Sequence, residues 1–170
     1  DVKWWYRERI AGLKLDAWFH PSVDVTRPVP ESDEASRSFA AQTTPDANII
    51  MPGDLVHIDF GITYLRMNTD TQQNAYVLRP GETAPPAGLV EAFKKGNRLQ
   101  DILTSNFEEG RTGNEILKRT REQAIAEGLT PSIYSHPIGY HGHAAGTSIG
   151  MWDNQEHVDT GEHPLHQNTC

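Results

Sequence analysis

Asp59 is the first residue that demands an explanation. It sits in Leu55-Val56-His57-Ile58-Asp59-Phe60-Gly61-Ile62-Thr63, an apolar run with the composition of a β-strand. A carboxylate in such a strand is costly unless it is paired or bound to a cation. Asp70 follows in Asn68-Thr69-Asp70-Thr71-Gln72, early in a second extended stretch. If the chain folds back about positions 64–65, the two aspartates are cross-strand partners, with Cβ atoms ~5 Å apart. Carboxylates that close repel, and the repulsion is relieved by a shared proton or a divalent cation. The plainer reading is a different register, or an Asp70 that only caps a turn. His57 lies two residues before Asp59 and shares its face of the strand. It either supports a ligand or is a satisfied core histidine, and the second role is the commoner one.

A second concentration of chemistry is Ser135-His136-Pro137-Ile138-Gly139-Tyr140-His141-Gly142-His143-Ala144-Ala145-Gly146. Imidazole is the commonest metal ligand and a good proton donor. Small residues around it let the backbone approach a ligand closely. The alternative is a polar loop with structural histidines. His157, His163 and His166 lie in a polar stretch and read as surface residues. The glycines at 139, 142 and 146 do not make a phosphate loop, because no Lys-Ser/Thr follows them. Ser132, Ser135 and Ser148 lack a nucleophile-elbow context. Cys170 is a poor nucleophile candidate.

These residues need elements to hold them. Val2, Tyr6, Ile10 and Leu13 recur at helical spacing, which predicts a helix over 1–15. Residues 17–19 and 23–25 read as extended. Residues 26–54, with four prolines among Ser, Thr, Asp and Asn, read as a long loop of the functional or mobile kind. Pro52-Gly53-Asp54 is a turn signal. Strands are expected over 55–63 and 69–78, joined as a hairpin. Tyr64-Leu65 is a poor turn pair, so a longer tip is open. Helices are expected over 86–105 and 113–127. Thr112-Gly113-Asn114-Glu115 fits a capping box, and Gly128-Leu129 fits a helix stop. Residues 133–136 return to an extended pattern, and 151–170 are polar and without Lys or Arg. The order predicts an α+β chain with helices packed on one face of a mainly antiparallel sheet.

The 170 residues suit one domain or a piece of one. Lys and Arg total 15 against 23 Asp and Glu, a formal charge of −8, which argues against a general phosphate-backbone binder. No run approaches the ~18 consecutive apolar residues of a membrane span. One cysteine rules out a disulfide framework and any four-Cys zinc site, so metal chemistry falls to imidazole and carboxylate.

Pro52-Gly-Asp-Leu-Val-His-Ile-Asp59-Phe-Gly61 followed by Asn68-Thr-Asp70-Thr-Gln resembles the metal-binding hairpin of the pita-bread metallopeptidases. That family includes methionine aminopeptidases, Xaa-Pro aminopeptidases and prolidases. The helix pair with Arg111-Thr112-Gly113 and the histidine-rich segment come in the family's order. The resemblance implies a pita-bread (creatinase/aminopeptidase-like) α+β fold with a curved sheet, present here as a single, incomplete catalytic domain over 1–170. It implies two divalent metal ions (Mn, Co, Zn or Fe) held by two Asp, one His and two Glu. Asp59 and Asp70 take the Asp positions. His143-Ala-Ala-Gly146 fits the family's His-x-x-Gly, so His143 takes the His position, with His141 as competitor. His136 or His141 takes the family's substrate-holding histidine and stabilises the charge that develops during catalysis. A further family histidine would fall near Gly150. The two Glu ligands belong beyond a segment like Pro164–Thr169, and Glu156 and Glu162 do not stand in their context.

The implied reaction is hydrolysis near a peptide N-terminus, by water held between two metals. With three of five ligands, the 170-residue piece is expected to be inactive. The implied partner is a peptide substrate, with no nucleic acid and no membrane, and a homodimer is allowed. The compartment is left open with a lean to the cytoplasm, because a chain beginning at Asp1 could have lost a signal peptide. The rivals are a creatinase-like hydrolase working without metal, a non-catalytic binding module on the same fold, and a one-metal enzyme of unrelated fold using His57, Asp59, His141 and His143.

Overall fold

The computed structural model describes residues 2–27, 49–140, 142–143 and 145–169. Two units divide it, residues 1–86 and 87–170.

The first unit is built on antiparallel pairing. Helix α1 (Val2–Gly12) precedes β1 (Asp16–Ala17) and β2 (Ser22–Thr26). The chain returns through β3 (Leu55–Phe60), β4 (Ile62–Tyr64), β5 (Met67–Asn68) and β6 (Thr71–Tyr76). One sheet has the order β2-β3-β6 and the other β1-β4-β5. Ile10 of α1 and Val56 of β3 are buried, and the Tyr6 and Phe60 rings lie 5.2 Å apart. At the base of the hairpin, Gly53 donates to the Val77 carbonyl and Val77 to the Asp54 carbonyl. The buried Asp54 carboxylate accepts from Arg27 Nε and Nη2, each at 2.8 Å, and from the Met51 amide at 2.7 Å. The Arg27 guanidinium holds its carboxyl below the ordinary value of 3.8.

Three expectations change here. The hairpin turns at Leu65-Arg66 rather than 64–65, and the tip is a tight two-residue turn. Both residues have positive φ, 49° and 65°, as a type I′ turn requires. The first strand is interrupted at Gly61 instead of running unbroken from 55 to 63, and the second is likewise split before Thr71. Of the long loop expected over 26–54, residues 28–48 lie outside the described residues, while Thr26 belongs to β2.

The second unit holds α2 (Ala87–Ser105) and α3 (Gly113–Ala126). The capping box forms as the spacing predicts: Thr112 accepts from the Glu115 amide, and the Glu115 carboxylate accepts from the Thr112 amide. At the other end, Gly128 sits at φ 77°. The Leu129 amide donates to Ala124 O and the Gly128 amide to Ile125 O, which closes the helix in a Schellman pattern. Ile116 and Leu117 of α3 are fully buried against Ile133 and Ile149, with Leu99, Leu103 and Leu165 around them.

Residues 133–136 carry only a single bridge, Ser135 to Ile149, and the ladder lies further on, as β7 (Ile138–Gly139) paired with β8 (Gly142–His143). The polar stretch from 151 onward is tied down more closely than its composition suggests. Gln155 donates from Nε2 to the Ile133 and Met151 carbonyls and accepts from the Ile133 amide. Asn114 of α3 donates to the Val158 carbonyl and accepts from its amide, next to a short 3-10 turn at 159–162. His157, His163 and His166 are exposed, as expected.

Candidate metal centre

The two aspartates lie in the first unit. The register pairs Asp59 with Gln72, not with Asp70, and His57 with Asn74. Continuing that register places Asp70 opposite Gly61. Direct pairing of Asp59 and Asp70 is therefore corrected to a diagonal relation. The displacement is two residues, so every side chain keeps its face; a one-residue slip would have turned Asp70 away. The two carboxyl groups still meet. Burial, then the negative charge of Asp70, then a hydrogen bond shared with it push the Asp59 carboxyl above its ordinary value of 3.8. Asp59 Oδ1 is buried without a hydrogen-bond partner among the described residues. An orphaned carboxyl oxygen beside a second carboxyl group is the environment a divalent cation satisfies, so these two residues fit a metal.

His57 Nδ1 lies 3.0 Å from Asn74 Oδ1 across the strand pair. The commoner of its two readings is the one this contact supports: a histidine satisfied by its sheet neighbours.

The histidines lie in the second unit. The β7–β8 pairing sets Ile138 opposite His143 and Gly139 opposite Gly142. His136 and Ile138 share a face, so His136 and His143 fall diagonally on one side of this short ladder. Their ring centroids are 4.1 Å apart at 58°. His136 donates from Nδ1 to the Pro137 carbonyl at 3.2 Å, which in the neutral ring leaves the lone pair on Nε2. That is the tautomer a metal-binding histidine uses. His136 is half-buried and His143 exposed. The role assigned to His141 falls outside the described residues.

Trp18 is a residue that composition and spacing did not single out. Its indole Nε1–H donates to the Thr69 carbonyl at 2.6 Å, one peptide before Asp70. The available signal was Gly61, a glycine inside a strand pattern, which marks a bulge or a close approach.

The profile of Metallopeptidase family M24 matches residues 32–168. No curated protein matches the chain. An X-Pro aminopeptidase from Thermotoga maritima is similar in structure at a TM-score of 0.58 and 22% identity, over 89% of this chain and 38% of that one. A dipeptidase from Pyrococcus horikoshii is similar at 0.57 and 17% identity, over 98% of this chain and 45% of that one. A methionine aminopeptidase from Thermotoga maritima is similar at 0.56 and 16% identity, over 99% and 64%. The chain therefore spans between 38% and 64% of the length of these structures. Their likeness shows the fold, of which this chain covers a part.

Proposed function

The chain belongs to metallopeptidase family M24, and we propose on that footing that the protein hydrolyses peptides near the N-terminus, as an aminopeptidase or Xaa-Pro peptidase. The observation that carries the reading is the buried, unpartnered Asp59 Oδ1 beside the Asp70 carboxyl. In this reading Asp59 and Asp70 hold divalent metal together with His143, and two ions bind when further ligands complete the set. Bound metal would supply a water of lowered pKa and would polarise the scissile carbonyl.

The chain's own residues then divide the remaining work. Asp59 and Asp70 neutralise cation charge from a backbone whose hydrogen bonds fix their separation. His136, with its Nδ1–H committed to the Pro137 carbonyl, is a candidate for holding substrate. His141 is a second candidate for that task. A bound cation would offset both the burial of Asp59 and the like charge of Asp70.

The test is a full-length protein stripped of metal and reloaded with Mn²⁺ or Co²⁺, assayed against a peptide library varied at the first two positions and including proline second. N-terminal cleavage is expected, lost on Asp59→Asn and on chelation. A loaded full-length protein that cleaves no member of the library would overturn the proposal. Unchanged biological activity in Asp59→Asn and Asp70→Asn would point instead to a binding module on the same fold.

A further inference from the structure

The hairpin breaks its own hydrogen-bond pattern beside Asp70. In the shared register of the two strand pairs, Ile62 falls opposite Thr69 and Gly61 opposite Asp70. Residues of a hydrogen-bonded antiparallel pair exchange two backbone bonds. Thr69 meets one of them, donating its amide to the Ile62 carbonyl at 2.9 Å. The return bond goes elsewhere: the Ile62 amide donates to the Thr69 hydroxyl Oγ1 at 3.1 Å. The Thr69 carbonyl accepts the Trp18 indole Nε1–H instead, at 2.6 Å. The regular ladder resumes at Thr71, opposite Phe60.

Gly61 makes this possible. A Cβ at 61 would collide with the Trp18 indole nitrogen, the Thr69 carbonyl oxygen and the Phe19 ring at once. The Thr69 carbonyl and the Asp70 amide belong to one planar peptide. Whatever holds that carbonyl sets the direction in which the chain enters Asp70. Trp18 reaches it from the segment between β1 and β2, 51 residues away in sequence, with its ring braced edge-on against Phe19 at 4.7 Å.

We propose that Trp18 is a positioning residue for the metal site: its indole N–H holds the Thr69–Asp70 peptide out of the ladder and so aims the Asp70 carboxylate toward Asp59. The inference rests on the reading of Asp59 and Asp70 as metal ligands and adds to it the group that orients one of them. A tryptophan that merely filled space would act through its ring, and the N–H would be dispensable. Outer partners that orient a ligand affect metal affinity about 10–100-fold when removed.

The experiment uses the full-length protein stripped of metal and titrated with Mn²⁺ alone by calorimetry, with thermal unfolding of the metal-free form measured in parallel. Trp18→Phe removes the donor and part of the ring. Benzothienylalanine at position 18 replaces the N–H by sulfur and keeps the ring volume. Asp70→Asn sets the reference for loss of the ligand itself. The expected result is Mn²⁺ affinity about tenfold or more weaker in both position-18 proteins. The benzothienylalanine protein should melt, metal-free, within about 2 °C of the wild type. Wild-type Mn²⁺ affinity in the benzothienylalanine protein, alongside a clear loss in Asp70→Asn, would overturn the role of Trp18 and leave the metal reading standing. Unchanged affinity in Asp70→Asn would overturn the metal reading, and with it the inference. A benzothienylalanine protein that does not fold would also overturn it, because the N–H would then be holding the fold rather than aiming one side chain.

Discussion

The two hairpins that carry the candidate ligands hold them by different means. The carboxylate hairpin has a six-residue ladder, Leu55–Phe60 against Thr71–Tyr76, anchored at its base by the buried Asp54. Its ligand-bearing stretch is set by that ladder except at the one peptide before Asp70, whose carbonyl is held by Trp18. The histidine hairpin pairs only two residues on each side. Among the described residues, a ring-to-ring contact and a side-chain bond to the Pro137 carbonyl join it there. Carboxylates crowded together repel and must be constrained before a cation arrives, so a rigid frame suits them. Imidazoles carry no negative charge to repel one another, and a short ladder is enough. The difference teaches that rigidity has been placed where like charges meet.

The comparison breaks most sharply at Gly61. Gly61→Val drives a branched side chain into the Trp18 indole and the Thr69 carbonyl, and a cost of about 3 kcal/mol is expected in urea unfolding. A loss below about 1 kcal/mol would mean that the interruption is soft and the carboxylate frame is not rigid. Next comes the base of the same hairpin. Arg27→Met leaves the Asp54 carboxylate buried with fewer donors, and a loss of about 2 kcal/mol is expected at neutral pH. The sign of its pH dependence follows from the depressed carboxyl of Asp54. The stabilisation is present above the ordinary value of 3.8 and is lost as pH falls through the lower folded value. Wild-type stability should therefore drop on acidification, and Arg27→Met should flatten that drop. Equal slopes in the two proteins would count against the ion pair as its source.

At the tip, Leu65 and Arg66 hold left-handed backbone that asparagine and glycine adopt with less strain. Leu65→Asn with Arg66→Gly should raise stability by about 1 kcal/mol, read as a higher urea midpoint with unchanged slope. The smallest effect belongs to the other hairpin. His143 is exposed, so His143→Ala should alter metal-free stability by less than about 0.5 kcal/mol while weakening Mn²⁺ binding. A large stability loss there would make the histidine hairpin as constrained as its counterpart and erase the contrast.

Much of the frame is legible in local residue patterns. The helices at 2–12, 87–105 and 113–126 fall where apolar spacing and caps place them, and the capping box at Thr112 forms as expected. Local rules suffice there because caps and periodicity act within a turn or two. The pair at 59 and 70 converges although the predicted partner was wrong, because a two-residue displacement preserves the face of every side chain. The turn was misplaced because Leu65-Arg66 lacks the glycine or asparagine that normally marks positive φ. The polar stretch beyond 150 gives no warning of its docking, since Asn114 and Gln155 find their partners 44 and 22 residues away.

From its own order of residues the chain determines where the elements run, that the two aspartates look to one side of a sheet, and that its motifs are those of metallopeptidase family M24. These follow from alternation along a strand, spacing along a helix and short motifs, all of which act over a few residues. Only the tertiary structure decided that Asp59 sits across from Gln72, that His136 meets His143, and that an indole from position 18 turns the peptide leading into Asp70. The first two depend on where a hairpin turns and the third on a contact between residues 51 apart in sequence, so none of them follows from the pattern of a single strand or helix.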